Sequence, residues 1–205
     1  MEKICHVVGA GDFSPELLQV REEDLIIAAD AGLAHLKKMG LAPDLYVGDG
    51  DSLGYIPEGV ERVLLPTVKD DTDTLAALRE GLARGYRLFY LYGALGGTRF
   101  SHSVANLQTL AFLARQGARG VILDAHGRTS LLEKGLHKPL TRKGYFSLFA
   151  LEKEAEVSVS EAKYSGEHLL LFPYLPLGVS NEGDESTLVS VHRGSVLLVS
   201  EESSL

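Results

Sequence analysis

The chain has 205 residues, of which 45% are hydrophobic and 23% are charged, and its formal net charge is −8. This composition is that of a globular protein with a sizeable core, arranged as one large domain or two small ones. The negative charge argues against a nucleic-acid partner, because no stripe of Lys and Arg could neutralise a phosphate backbone. The single cysteine, Cys5, excludes an internal disulfide framework. No stretch has the apolar length of a membrane span and no signal-peptide pattern is present, so we expect a cytoplasmic protein.

Strand-like and helix-like patterns alternate along roughly the first 125 residues. Six short apolar runs predict strands: KICHVVGAG, DLIIAAD, PDLYVGDGD, ERVLLP, YRLFYLYG and GVILD. Three amphipathic segments predict helices: AGLAHLKKMG, DTDTLAALREGLARG and SHSVANLQTLAFLARQG. The apolar faces expected for the last two helices are Leu75, Leu78, Leu82 and Ala83, and Val104, Leu107, Leu110 and Ala111. Strands that alternate with helices predict an α/β domain with a three-layer, mostly parallel, Rossmann-like sheet.

The helical pattern stops near Gly127. Beyond this point the chain consists of short alternating or β-branched runs separated by Gly, Asn and Pro, such as YFSLFALE, EVSVSEAKY, TLVSVHR and SVLLVSEE. Such runs are typical of antiparallel strands and indicate a β-sandwich. We therefore predict two domains, an α/β domain over residues 1–126 and an antiparallel β-sandwich over residues 127–205.

Acidic residues follow several of the predicted strands. Asp30 follows the second strand, Asp49 and Asp51 follow the third, and the stretch KDDTD (69–73) follows the fourth. Because ligands of parallel α/β sheets bind beyond the carboxyl ends of the strands, these carboxylates would converge on a ligand. A single Asp in such a place is ordinarily a turn former or a helix N-cap.

The turn-forming role does not explain Asp49, Asp51 and Asp73 together. Clustered carboxylates repel one another and raise one another's pKa values unless a cation neutralises them. Mg²⁺ prefers oxygen ligands and keeps positions for water and substrate phosphates. We therefore predict that these three residues bind Mg²⁺, which would supply the positive charge for a compact phosphorylated ligand.

A glycine-rich segment, GALGGTRFSHSVAN (93–106), leads from the fifth predicted strand into a helix. Backbone amides at a helix N-terminus favour anions, and the guanidinium of Arg99 suits phosphate oxygens. His102 and Asn106 follow one turn apart. Alone, the segment is only a permissive turn, because it lacks the spacing of a Walker A loop and of G-x-G-x-x-G. Together with the acidic cluster, it indicates phosphoryl or nucleotidyl transfer.

Several motifs resemble those of the thiamine pyrophosphokinase family, in the same order and along nearly the whole chain. AADAG resembles the family's ADGG/ADSG turn, DGDS its D-F-D-S motif, KDDTD its K-D-x-T-D motif, and GGTRFSHSVAN its G-G-R-x-D-H-x-x-x-N motif. In the second half, YFSLFALE, EAKYSGE and LGVSNEG resemble the family's Y-x-S, K-Y and S-N-E segments. The chain departs from the pattern in three places: Gly50 stands for an aromatic residue, Ser101 stands for Asp, and Thr98 is an extra residue before Arg99.

The resemblance implies an enzyme of known activity. Members of this family transfer the β,γ-pyrophosphoryl group of ATP to the hydroxyl of thiamine, which gives thiamine diphosphate and AMP. The resemblance also implies an α/β domain that binds ATP and Mg²⁺, a β-sandwich that binds thiamine, and assembly as a homodimer.

The resemblance further implies a role for each matching residue. Asp49, Asp51 and Asp73 would hold Mg²⁺ against the phosphates, and either Asp70 or Asp73 would accept the proton of the thiamine hydroxyl. The residues implied to surround the ATP phosphates are Asp30, Lys69, Arg99, Ser101, His102 and Asn106. Ser180 and Asn181 would contact thiamine near the dimer interface.

Two other functions stay open from the sequence. A pyrophosphokinase of the same architecture could act on another hydroxymethyl heterocycle, such as a pterin. A non-catalytic sensor could bind nucleotide or thiamine diphosphate without turnover, and the loss of Asp at position 101 is compatible with it. The acidic cluster weighs against the sensor, because a protein that only binds its ligand has little use for a metal site.

Overall fold

The computed structural model describes residues 2–50, 54–55, 59–66, 71–151 and 153–202. The chain divides into two compact units, Met1–Ala125 and His126–Leu205. The α-helices of the described residues all belong to the first unit, and none of them is long and apolar enough to cross a membrane. The described residues combine these helices with β-strands, which confirms the prediction of a mixed α/β chain.

The described residues of the first unit form six parallel strands. They are β1 (Ile4–Val8), β2 (Leu25–Ala29), β3 (Leu45–Gly48), β4 (Glu61–Leu64), β5 (Leu88–Tyr92) and β6 (Arg119–Asp124). Their order across the sheet is β6-β5-β1-β2-β3-β4, and each pair of neighbours is parallel. All six correspond to strands predicted from the sequence. The central strands β1, β2 and β3 are almost entirely buried, which explains why their sequences are continuous apolar runs.

In the part of this unit that the structure describes, three α-helices connect these strands, at the positions that the sequence predicts. They are α1 (Gly32–Lys38), α2 (Asp73–Ala83) and α3 (Phe100–Arg115), and a short 3₁₀ helix covers Pro15–Leu17. Helix α2 begins with a standard N-cap, because the hydroxyl of Thr72 accepts a hydrogen bond from the N–H of Leu75 over 3.2 Å.

The buried faces of α2 and α3 differ from the prediction. In α2 the residues that are buried are Ala76, Ala77, Leu78 and Gly81. In α3 they are Ser103, Asn106, Thr109, Leu110 and Leu113. Val104, which was predicted to lie on the apolar face of α3, is 43% exposed. The first turns of α3 bury polar side chains because that face binds backbone carbonyls of a neighbouring loop.

The second unit consists of antiparallel strands, as predicted. They are β7 (Gly127–Leu132), β8 (Gly135–His137), β9 (Gly144–Ala150), β10 (Ala155–Ala162), β11 (Gly166–Leu171), β12 (Asn181–Arg193) and β13 (Val196–Glu202). Strand β13 pairs with β7 and β9, and β10 pairs with β11 and β12. The long strand β12 pairs with β9 at its start and with β8 and β10 further along.

The core of the second unit is formed by the inward-facing residues of these strands. Its members include Leu140, Phe146, Leu148, Val157, Leu171, Val189 and Leu198. Alternation along β10 is clear, because Val157 and Val159 are buried whereas the residues between and beside them are more exposed. The arrangement of these strands as a sandwich stays a prediction.

Candidate active site

The strand order of the first unit reverses between β1 and β5. Strands β2, β3 and β4 lie on one side of β1, whereas β5 and β6 lie on the other. The first glycine loop, residues 9–12, follows β1, and the second glycine loop, residues 93–97, follows β5. Open α/β sheets bind ligands in the crevice at such a reversal, beyond the carboxyl ends of the strands. The two glycine loops therefore mark the expected ligand site.

The two glycine loops contact each other along their backbones. The N–H of Gly11 donates to the carbonyl of Gly93 over 2.7 Å, and the N–H of Asp12 donates to the carbonyl of Leu95 over 2.8 Å. A Cβ on Gly11 would lie 2.2 Å from the Leu95 oxygen. Gly96 has φ +72°, and a Cβ there would lie 1.9 Å from Oδ2 of Asp12. At Gly11 a side chain would push the loops apart, and at Gly96 it would displace the carboxylate of Asp12 and strain the backbone.

Buried polar side chains of α3 hold the second glycine loop. Asn106 donates from Nδ2 to the carbonyl of Ala94 over 2.7 Å, and the hydroxyl of Ser103 donates to the carbonyl of Gly96 over 3.4 Å. The Asn106 amide thus supports the loop backbone, and its contact with ATP phosphates stays a prediction. The apolar periodicity of this segment does not indicate a role for Ser103.

Arg99, Ser101 and His102 lie at the start of α3, directly after the second glycine loop. Arg99 and Ser101 are exposed, and His102 is half-buried. Arg99 occupies the N-cap position and no side chain caps the helix there. Ser101 is therefore already inside the helix. An exposed guanidinium beside a glycine loop is well suited to bind phosphate oxygens.

Asp30 is buried at the carboxyl end of β2 in a backbone conformation that is unusual for a non-glycine residue, with φ +48°. Its N–H donates to the carbonyl of Val47 over 2.8 Å. Its Oδ1 lies 3.5 Å from the hydroxyl of Tyr46, which donates to it. Asp30 is thus fixed through both its backbone and its side chain.

The carboxylates of Asp30, Asp49 and Asp73 all influence the pKa of the buried Tyr46 hydroxyl. Burial raises the pKa of Tyr46, and the negative charges of Asp30, Asp73 and Asp49 raise it further. The structure therefore brings these three predicted site residues to the same end of the sheet, after β2, after β3 and at the start of α2.

The metal site predicted from the sequence is only partly described. Asp51, Lys69 and Asp70 lie outside the described residues. Within the described part of the chain, no three His, Cys, Asp or Glu side chains stand close enough together to hold a metal ion. The carboxylates of Asp30, Asp49 and Asp73 are nevertheless the type of ligand that a hard divalent cation such as Mg²⁺ prefers, and they lie after β2, after β3 and at the start of α2.

His35 is a residue at this end of the sheet that the sequence did not single out. Its Nε2 lies 3.1 Å from the carbonyl oxygen of Gly11, and its ring stacks on Phe13 with a centroid distance of 4.8 Å. Within the helical segment AGLAHLKKMG it has the pattern of an ordinary surface histidine.

Ser180 and Asn181 lie in the second unit, where β12 begins. Ser180 has φ +57°, and its N–H donates to the hydroxyl of Ser147 over 3.0 Å. The Asn181 side chain accepts from the N–H of Tyr164 over 3.0 Å and donates to the Tyr164 carbonyl over 2.8 Å. Asn181 thus fastens the loop between β10 and β11 to the start of β12.

A pocket of about 610 Å³ opens beside Ser180 and Asn181. Its walls are mainly apolar and include Leu148, Val159, Tyr164, Leu169, Leu177 and Val179. An apolar pocket with a few polar groups in its lining is the usual site for a small organic ligand.

Solved structures of thiamine pyrophosphokinases are similar to this chain over nearly its whole length. The enzyme from Bacillus subtilis has 21% identity and a TM-score of 0.83, covering 99% of this chain and 100% of that one. A family protein from Enterococcus faecalis has 24% identity and a TM-score of 0.79, with the same coverage. The enzyme from Candida albicans has 16% identity and a TM-score of 0.78, covering 98% of this chain and 90% of that one. At these identities the likeness shows a common fold.

The sequence itself matches a family model. No curated protein is significantly similar to this chain in sequence. The model of the thiamin pyrophosphokinase catalytic domain matches residues 18–122, a segment that holds the acidic residues, the second glycine loop and the start of α3. Because this match covers more than half of the chain, the chain belongs to the thiamin pyrophosphokinase family and is an enzyme of that kind.

Proposed function

We propose that this enzyme transfers the pyrophosphoryl group of ATP to the hydroxyl of thiamine, with Mg²⁺ as cofactor, and releases thiamine diphosphate and AMP. The observation that carries the proposal is the pair of glycine loops in contact at the strand-order reversal, beside the carboxylates of Asp30, Asp49 and Asp73. Open backbone at a sheet edge that also carries carboxylates suits a polyphosphate that is bound together with a divalent cation.

In this proposal the first unit binds ATP. The phosphates lie against the second glycine loop and the start of α3, where backbone N–H groups, Arg99, Ser101 and His102 are at hand. Lys69 adds a second cation from the K-D-x-T-D motif. Asn106 supports the second glycine loop by donating a hydrogen bond to the carbonyl of Ala94.

The acidic residues hold the metal and the nucleophile. Asp49, Asp51 and Asp73 bind Mg²⁺, which when bound neutralises the charge of the phosphates. Asp30 is held by Tyr46 and orients groups around the same centre. The thiamine hydroxyl oxygen forms a bond to Pβ, the bond from Pβ to the oxygen it shares with Pα breaks, and that oxygen leaves with AMP. Asp70 or Asp73 accepts the hydroxyl proton. The rest of the catalysis comes from positioning the reactants and from neutralising the phosphate charge.

In this proposal the second unit is a β-sandwich that binds thiamine. Its pocket of about 610 Å³ combines apolar walls with Ser180 and Asn181 at one side, which suits the two rings of thiamine. Because the Asn181 side chain binds the backbone of Tyr164, we assign it to shaping the pocket as well as to contacting thiamine. The domain limits of this assignment are 1–126 for ATP and 127–205 for thiamine.

We also propose a homodimer, in the cytoplasm. The second unit exposes several large apolar side chains along β11 and the segment after it: Leu169, Leu170, Tyr174, Leu175 and Leu177. Leu169, Leu170 and Leu177 also line the pocket, and a second copy of the chain would cover the apolar side chains that remain exposed beside it.

The test is a steady-state assay of AMP release with ATP, Mg²⁺ and thiamine, alongside a pterin alcohol. Asp49→Asn and Asp73→Asn should abolish turnover without unfolding the protein. Asp71→Asn is the matched control, because Asp71 lies in the same segment but pairs with Arg79 over 2.8 Å. Release of AMP with the pterin alone would establish the other substrate, and nucleotide binding without AMP release would establish a sensor.

A further inference from the structure

His35 connects helix α1 to the first glycine loop. Its Nε2 lies 3.1 Å from the carbonyl oxygen of Gly11. The N–H of Gly11 in turn donates to the carbonyl of Gly93 over 2.7 Å. Gly11 is thus held on one side by an imidazole and on the other by the second glycine loop. Gly11 therefore links helix α1 to the second glycine loop, which follows β5.

Helix α1 gives His35 a fixed base. Gly32, its first residue, lies so close to the end of β1 that a Cβ there would be 1.9 Å from the carbonyl oxygen of Val8. Leu33 and Leu36 are buried on the same helix. The N–H of Leu33 donates to the carbonyl of Asp30 over 3.2 Å. The position of His35 relative to Asp30 is therefore set by tight backbone contacts.

An aromatic contact fixes the orientation of the imidazole. The ring of His35 stacks on Phe13 with a centroid distance of 4.8 Å and an interplanar angle of 26°. Phe13 in turn meets the ring of Tyr92, the last residue of β5, edge-on at 6.4 Å. Stacking leaves the imidazole edge, and with it the donor Nε2, directed at Gly11.

We propose that His35 is a positioning residue for ATP. Nε2–H donates to the Gly11 carbonyl and so keeps the two glycine loops at the spacing in which the second can receive phosphate. The same short helix follows Asp30, so it sets the distance between the carboxylate cluster and the loops. The inference rests on the proposed nucleotide site and adds a residue outside the motifs that define it.

Two substitutions separate the hydrogen bond from the stacking. His35→Phe keeps a ring against Phe13 and removes the donor, whereas His35→Gln keeps a donor of similar reach and removes the ring. The loss of one such hydrogen bond is expected to weaken ATP binding by about fivefold. His35→Phe should therefore raise the dissociation constant of ATP, measured by calorimetry without thiamine, and KM for ATP, while KM for thiamine stays unchanged. His35→Gln should restore most of the ATP affinity.

The outcomes distinguish this inference from the proposed function. A wild-type protein that releases no AMP would refute the proposed function. An active wild type whose His35→Phe variant binds ATP as tightly as before would refute the role of His35, as would equal increases in both KM values. A lower free energy of unfolding with unchanged ATP affinity would show that His35 is only structural. If His35→Phe does not fold, His35→Asn, too short to reach Gly11, takes its place in the same comparison.

Discussion

The hydroxyl of Tyr46 donates a hydrogen bond to Oδ1 of Asp30 over 3.5 Å, and both side chains are buried. Burial and the nearby carboxylates raise the pKa of Tyr46, so the phenol stays protonated. It is therefore a permanent donor to the carboxylate of Asp30. Asp30 needs such a partner, because a buried carboxylate without one is costly.

Removing this donor should harm both stability and catalysis. Tyr46→Phe is expected to lower the free energy of unfolding by about 1–2 kcal/mol, because Asp30 loses its partner. We also expect kcat to fall by about tenfold, since the carboxylate is no longer held in one orientation. Urea denaturation and AMP release measure the two effects. Tyr174→Phe, at a tyrosine that is 80% exposed, is the control and should change neither. Unchanged kcat in Tyr46→Phe would show that Asp30 needs no such orientation.

Two glycines with similar backbone conformations should respond differently to alanine. Gly96 and Gly117 have φ +72° and +65°, so an alanine costs about 1 kcal/mol of backbone strain at either position. Only at Gly96 would the new Cβ collide with Asp12, whereas nothing lies within 4 Å of it at Gly117. We expect Gly96→Ala to raise KM for ATP and Gly117→Ala to leave it unchanged. Equal KM values in the two variants would mean that the loop contact has no part in nucleotide binding.

His6 should make stability depend on pH. The imidazole is fully buried, with Nδ1 3.1 Å from the hydroxyl of Tyr92 and Nε2 3.4 Å from Oδ2 of Asp24. Burial lowers the pKa of His6, a hydrogen bond and the charge of Asp24 oppose the shift, and Arg21 adds to it. The net direction is downward, so the folded protein favours the neutral ring.

The sign of the pH dependence follows from this shift. The unfolded imidazole has a pKa of about 6.5, and the folded pKa lies below it. The stabilisation is complete above about pH 6.5 and is lost as the pH falls through the folded pKa. Urea denaturation between pH 7 and 5 should show this loss in the wild type and a smaller loss in His6→Gln. The exposed His126 offers the control, and a His126→Gln slope as small as that of His6→Gln would contradict the assignment.

Ser101→Asp should restore the family's motif at the start of α3. Ser101 is the second residue of this helix, and the first turn contains no acidic residue. An aspartate there would interact with the helix dipole, worth about 0.5 kcal/mol of stability, and could orient Arg99. We expect KM for ATP to fall or stay level and KM for thiamine to stay unchanged. Gln108→Asp adds the same charge on an exposed site further along α3 and should not affect ATP. If only Ser101→Asp released AMP, the natural protein would be a sensor.

The sequence was sufficient for the features that depend on local patterns. The central strands of the first unit are continuous apolar runs, and Asp30 and Asp49 follow β2 and β3 as the sequence predicts, whereas their convergence on a metal stays a prediction. The sequence was not sufficient where a side chain forms a hydrogen bond to a backbone group that is distant along the chain. The buried face of α3 is polar because Asn106 binds the carbonyl of Ala94, which no helical periodicity reveals. His35 was missed for the same reason, since its partner Gly11 is 24 residues away in the chain.

The left-handed backbone of Asp30 has a consequence for protein engineering. At φ +48° a glycine is unstrained and an asparagine is tolerated, whereas an aspartate keeps its strain and its buried charge. Substitutions such as Asp30→Asn, which remove the charge and keep an oxygen that accepts from Tyr46, should therefore melt at a higher temperature than the wild type and lose turnover. A library screened for heat resistance alone would accumulate these substitutions, and thermostable clones from it would be enriched in inactive enzyme.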